Sequence, residues 1–275
     1  MTADYEFEGI SGLFGRLGRG GHYGQDNQGE TGPGPGHSFS VGPRVVVVLL
    51  DVSNSMAFPV AGRRRIDVLN ERLQEWLPLI REAGRGKLRQ AEIAVVTFGG
   101  RGVRPVTGRS SGPASSWPGD RGVFVPLVDL DVGELVAYGG SPLAEAIETA
   151  LGLAEARVRH LAGQHVQAGP ARVLMLADGG SYDARLSTDV WEPAAARVAA
   201  LRARDEVQFF AFGVPGASEP VLQAIAGEGY APLLESGFGN LLDLILRATA
   251  AEHPLDAVRK RFGWGPADDP AQEPR

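Results

Sequence analysis

Apolar positions along this chain follow two rhythms. Four short runs, residues 45–50 (VVVVLL), 91–98 (AEIAVVTF), 171–177 (ARVLMLA) and 207–214 (VQFFAFGV), are β-branched or aromatic and nearly continuous. Continuous rather than alternating runs are the mark of strands covered on both faces, so a parallel sheet is predicted. Between the runs the apolar spacing changes to three and four. Ile66, Leu69, Leu73, Trp76, Leu77 and Ile80 line one helix face, and Leu143, Ile147, Ala150, Leu151 and Ala154 line a second. Further helices are predicted over 190–204, after Ser218 and over 241–250. Strands alternating with helices give an α/β fold, a doubly wound, mostly parallel sheet in a three-layer sandwich with helices on both faces. Residues 101–122, rich in Gly, Ser, Pro and Arg, break the rhythm and read as a long surface loop. Residues 123–128 then read as one antiparallel edge strand, where Pro126 is better tolerated than at a sheet centre.

Composition divides the chain into a body and two ends. Residues 1–42 are dense in glycine (GRLGRGGHYG, TGPGPG) and offer few apolar groups to offset the entropy of ordering, so a flexible arm is expected. Phe7, Ile10, Leu13, Phe14 and Leu17 would line one side of a short helix if a partner or the body ordered it, although Gly9, Gly12 and Gly15 oppose that helix in isolation. Residues 254–275 form a Pro-rich and charged tail, which leaves 43–253, about 210 residues, as one domain.

Of the 275 residues, 43% are hydrophobic and 22% charged, which excludes a wholly disordered chain. The longest apolar run, 45–50, is far short of the roughly 18 residues of a membrane-spanning helix. The opening MTADYEFEG carries acids where a secretory signal carries basic charge. Cysteine is absent, which removes disulfides and thiolate zinc sites, and a reducing, cytoplasmic location is expected. A net charge of -6 argues against nucleic acid as a partner. The histidines, His22, His37, His160, His165 and His253, are scattered and show no ligand spacing.

In open α/β sheets, ligands bind beyond the carboxyl ends of the strands. There the chain is rich in oxygen: Asp51-Val52-Ser53-Asn54-Ser55 follows the first run and Asp178-Gly179-Gly180 the third, while Gly139-Gly140-Ser141-Pro142 precedes the second helix. Asp51, Ser53 and Ser55 are spaced so that a chain turning off the strand end can aim three oxygens at one point, the arrangement a hard cation such as Mg²⁺ requires. Each piece also has a plainer reading. Asp51 and the serines could cap a helix, Ser141-Pro142 makes a good helix start, and Asp178-Gly179 could be a simple turn. The run Arg63-Arg64-Arg65 reads as a solvated turn close enough to help attract an acidic partner.

The segment VVVVLLDVSNSM resembles the first motif of von Willebrand factor type A domains, D-x-S-x-S after an apolar strand, from which that family builds a metal-ion-dependent adhesion site. GGSPLAEAI is similar to the family's G-G-T-P-L segment and LMLADGGSYD to its L-L-T-D-G-x-x-x-D segment, in the family's order. The FVPLVDL and AFGV segments look most similar to the bacterial cytosolic branch associated with tellurium resistance, the TerY group. The resemblance implies that Ser53 and Ser55 ligate a metal directly, Ser141 directly or through water, and Asp51 and Asp178 largely through water. The ion would be Mg²⁺, Mn²⁺ or Ca²⁺, with an Asp or Glu of a partner protein taking the open position. Ser141 stands where the family usually has Thr, keeping the hydroxyl but losing a methyl that fixes the rotamer. Gly180-Ser181-Tyr182 replaces the commoner segment before Asp183, for which no ligand role is expected beyond a cap.

The expected function is therefore a non-enzymatic interaction module, with a kinase and phosphatase pair or another stress-response component as the partner the family implies. Two alternatives stay open. One is a metal-free scaffold with a vestigial site. The other is a Mg²⁺-dependent phosphatase of the haloacid-dehalogenase kind, in which Ser53 would stand where a second acid is needed and could not act as one.

Overall fold

The structure is a computed structural model, and it describes residues 43–86, 88–107, 122–180, 191–233 and Thr249. The arm (1–42), the tail (254–275), Asp183 and the predicted helix over 241–250, apart from Thr249, lie outside the described residues.

Each of the four apolar runs is a strand: β1 (Val45–Asp51), β4 (Glu92–Gly99), β7 (Ala171–Ala177) and β8 (Val207–Gly213). All seven residues of β1 are buried, as expected for a strand covered on both sides. β1 pairs in parallel with β4 on one side and β7 on the other, β7 with β8, and β8 with β9 (Tyr230–Pro232). The sheet is thus mostly parallel, and its strand order reverses direction at β1.

The outer edge of β4 is antiparallel and is made in two pieces. β5 (Gly102–Pro105) pairs with residues 96–99, and β6 (Val125–Pro126) pairs with Glu92 and Ile93. β6 lies within the expected edge strand but is only two residues long, because Leu127–Asp129 curls into a short 3-10 turn. β5 occupies sequence that reads as loop: an isolated GVRP has little strand propensity, and its pairing with β4 is a tertiary gain. A small ribbon of β2 (Pro59–Val60) and β3 (Arg63–Arg64) precedes the first helix.

The helices are α1 (Arg65–Arg85), α2 (Leu143–Gly163), α3 (Glu192–Ala203) and α4 (Glu219–Ala226). α1 buries the six apolar residues of its predicted stripe, and α2 buries its five. Alternation along β1 sorts them onto two faces. Val46, Val48 and Leu50 share a core with Ile66, Leu69, Leu73 and Ile80 of α1. Val45, Val47 and Leu49 share the other with Leu143, Ile147, Val198 and Leu222 of α2, α3 and α4. This is the doubly wound three-layer sandwich expected from the sequence, with helices on both faces. Each fully buried Leu, Ile or Val contributes roughly 1.5–3 kcal/mol, so the two cores hold the strand ends, and the loops leaving them, in fixed register. Among the described residues, no helix is long and apolar enough to cross a membrane.

Candidate metal centre

The reversal at β1 opens a crevice at the carboxyl end of the sheet, and the oxygen-rich segments meet there. Asp51 is the last residue of β1 and has no exposed surface. Its Oδ1 accepts the Ser53 backbone N–H at 2.8 Å, and Ser53 Oγ lies 2.8 Å from Ser55 Oγ. Ser141, 90 residues further on, donates its hydroxyl to Asp51 Oδ2 at 3.4 Å. The Asp178 backbone N–H also bonds to the Asp51 carboxylate, and the two acids are close enough to repel. The structure therefore brings together all five residues singled out by the sequence, Asp51, Ser53, Ser55, Ser141 and Asp178.

The plainer readings fare unevenly. Ser53 precedes a 3-10 turn (Asn54–Ala57) and Ser141 lies two residues ahead of α2, yet neither helix end has a side-chain cap. Both hydroxyls point to the cluster instead. Asp178 does form a local turn, its Oδ1 accepting the Gly180 N–H at 2.9 Å.

Backbone geometry explains how a loop 90 residues distant reaches β1. Asn54 grips it from both sides: its N–H donates to Gly139 O at 2.8 Å, and its Oδ1 accepts the Gly139 N–H at 2.9 Å. Tyr138 N–H donates to Val52 O at 2.7 Å and Gly100 N–H to Tyr138 O at 2.6 Å. The approach is so close that a Cβ on Gly139 would lie 2.2 Å from Gly100 Cα, and Gly139 holds φ +69°, where L side chains are strained. Sequence reading credits neither Asn54 nor this glycine pair, since each acts only on a segment remote in the chain. Asn54→Ala removes one of the two bonds and frees the Gly139 N–H. Faster hydrogen exchange at that amide and a loss of about 1 kcal/mol in urea unfolding are expected.

Among the described residues the cluster is anionic and only partly compensated. Burial, and next the Asp178 carboxylate, push the Asp51 carboxyl up to about 7. Among the described residues Asp51 has no ion-pair partner, and Asp178 has only Arg65, whose Nη1 lies 4.0 Å from its Oδ2. The first helix's basic run is therefore not wholly a solvated turn: Arg63 and Arg64 are exposed, but Arg65 faces the cluster.

The donors suit a hard divalent cation: two carboxylates and three hydroxyls, with neither sulfur nor imidazole. The 2.8 Å between the Ser53 and Ser55 hydroxyls is near the roughly 3 Å separating adjacent ligands around octahedral Mg²⁺. Among the described residues no three His, Cys, Asp or Glu side chains group as metal ligands, so the hydroxyls would have to complete any set here.

No family model matches the chain, and no curated protein does. Solved structures do share its outline. The SpRpn10 VWA domain is 10% identical, with 73% of this chain and 94% of that one covered, at a TM-score of 0.45. The TFIIH p34 N-terminal domain is 14% identical over 74% and 96%, at 0.45. Proximal thread matrix protein 1 of the mussel byssus, with a zinc-occupied MIDAS motif, is 16% identical over 76% and 48%, at 0.43, so this chain spans about half of its length. At such identities and scores a shared outline carries no shared chemistry.

Proposed function

We propose that this chain is a protein-interaction module of the von Willebrand factor A kind, in which Asp51, Ser53, Ser55, Ser141 and Asp178 hold a divalent cation, Mg²⁺ in the first instance, and a partner protein's Asp or Glu docks against it. One observation carries the reading. A fully buried carboxylate with no ion-pair partner among the described residues is packed against a second carboxylate and three inward-facing hydroxyls, an arrangement that costs stability until a cation joins it.

In that reading the chain's own groups divide the work. The Ser53 and Ser55 hydroxyls are neutral donors that leave the cation's charge undiminished. Asp51 orients Ser53 through its backbone N–H and Ser141 through its hydroxyl. When bound, the cation supplies an electrophilic position for a carboxylate from outside. Around the crevice the structure exposes Phe58 (61%), Val136 (68%) and Tyr138 (59%), large apolar side chains on segments bonded to the site loops and suited to a protein surface. A groove of about 440 Å³ beside the cluster, lined by Val52, Gly100, Arg101, Arg104 and Tyr138, offers further contact area.

The cluster lacks a second acid at position 53 for phosphoryl chemistry, which favours binding over catalysis. On the resemblance of the FVPLVDL and AFGV segments, the partner we propose is a component of a cytoplasmic stress-response system of the tellurium-resistance kind, such as a kinase or phosphatase.

Calorimetric titration of MgCl₂ and MnCl₂ into the full chain tests the reading. Saturable heat is expected for the wild type, and none for Asp51→Ala or Ser53→Ala. Equal heats in all three would end it. Co-purification with and without chelator separates cation-dependent docking from a metal-free scaffold.

A further inference from the structure

Three consecutive arginines between β1 and the body of α1 part company in the structure. Arg63 pairs with Glu71 at 2.9 Å and Arg64 with Asp67 at 2.6 Å, each on the exposed surface. Arg65 turns inward, with only 11% of its side chain exposed. Its Nη1 donates to the Ser55 carbonyl at 3.3 Å, its Nη2 donates to the Pro215 carbonyl, and its buried Nε has no hydrogen-bond partner.

This placement is costly on three counts. A cation at the first residue of a helix opposes the helix dipole. A guanidinium taken from water loses hydration. Among the described residues its nearest acid is Asp178 at 4.0 Å, beyond hydrogen-bond reach, so the planar fork is not used for a bidentate pair with it. What the position does provide is a fixed unit charge against the cluster, clamped to the carbonyl of Ser55.

We infer that Arg65 is a built-in counter-cation that sets the charge of the site: against Asp51 and Asp178 it leaves one net negative charge, so that the cation-loaded cluster carries one net positive charge and selects a carboxylate over a neutral donor. This rests on the reading that the cluster takes a dication. Without Arg65 the loaded site would be neutral and would hold its cation more tightly but a partner's carboxylate less tightly. Arg65 thus trades cation affinity for anion selectivity, and it acts as a positioning and charge-setting residue rather than a ligand.

The test uses the full chain at pH 8, with MgCl₂ as the first titrant and sodium acetate as the second, the latter added to Mg²⁺-saturated protein. Arg65→Gln removes the charge, whereas Arg65→Lys keeps it and loses the fork. For Arg65→Gln, Mg²⁺ affinity is expected to rise about tenfold and acetate affinity to fall about tenfold, the scale of one unit charge acting across a partly solvated site. Arg65→Lys is expected to stay within about threefold of wild type in both titrations. A purely structural tether moves the other way, loosening Mg²⁺ in both variants, and that result overturns the inference. So does a natively folded Arg65→Gln with unchanged affinities. Arg65→Met, neutral and of similar reach, repeats the measurement should Arg65→Gln fail to fold, with the same criterion. If wild type binds no Mg²⁺ but Arg65→Gln does, the cation-docking function of the native chain falls while the charge-setting role stands. If neither binds, both fall.

Discussion

Asp51→Asn is expected to be more stable than the wild type in chelator at pH 8, and to have lost its response to divalent cations. Asp51 is fully buried at the end of β1, and burial together with Asp178 pushes its carboxyl up to about 7 from the ordinary 3.8. A raised carboxyl pKa penalises the folded state wherever the acid is ionised. The penalty is absent below pH 3.8, grows as pH rises towards 7 and is constant above that. At about 1.4 kcal/mol per pKa unit its ceiling is about 4 kcal/mol. Asn keeps the acceptor for the Ser53 N–H, but its Nδ2 replaces the Oδ2 that accepts the Ser141 hydroxyl, which must rotate to accept instead, so only part of the advantage should survive. We expect a gain of roughly 1–3 kcal/mol by urea unfolding at pH 8 in chelator, shrinking towards zero near pH 4. Mg²⁺ at one thousand times Kd reverses the order, since the wild type alone gains binding energy, about 4.1 kcal/mol. A variant less stable than wild type in chelator throughout that pH range would show that the cluster is a satisfied network and not an anionic site awaiting a cation.

Gly139→Ala should disable the site from a position that holds no ligand. The added methyl would lie 2.2 Å from Gly100 Cα, and the residue sits at φ +69°. Neither neighbour can yield, because Gly100 is tied to Tyr138 O and Tyr138 to Val52 O. The strain alone is worth about 1–3 kcal/mol, and the loop carrying Ser141 must move away from Asp51 to relieve it. Expected outcomes are a loss of that size in thermal or urea unfolding and at least about a tenfold loss of Mg²⁺ affinity, as misplaced ligands cost 10–100-fold. Gly133→Ala is the control, having nothing within 4 Å of its added methyl and no positive φ. Unchanged Mg²⁺ affinity in Gly139→Ala would remove the Ser141 loop from the site.

Both effects bear on what could be read in advance. The strands and helices were legible because burial on a sheet face or a helix stripe imposes its period on neighbouring residues. Val45–Leu50 and the stripe from Ile66 to Ile80 needed no knowledge of the rest of the chain. That these five oxygen-bearing residues come together was legible for a similar reason, as each sits at or just beyond a strand's end or just before a helix, where an open parallel sheet exposes its loops. The β5 strand was not legible, since GVRP becomes a strand only against β4. Nor could the sequence tell Arg65 from Arg63 and Arg64, which share its charge, length and neighbourhood and differ only in what each meets.

The chain by itself determined the alternation of strand and helix, the placing of oxygen at the sheet's carboxyl edge and the absence of sulfur from the donor set, because these depend on composition and on intervals of a few residues. Only the tertiary structure decided that Ser141 meets Asp51 across 90 positions, that Asn54 and the Gly100–Gly139 contact hold it there, and that a single arginine of three faces the carboxylates. Those outcomes turn on the angle at which distant loops arrive. That angle is set by the packing of two cores on a twisted sheet, and no local pattern records it.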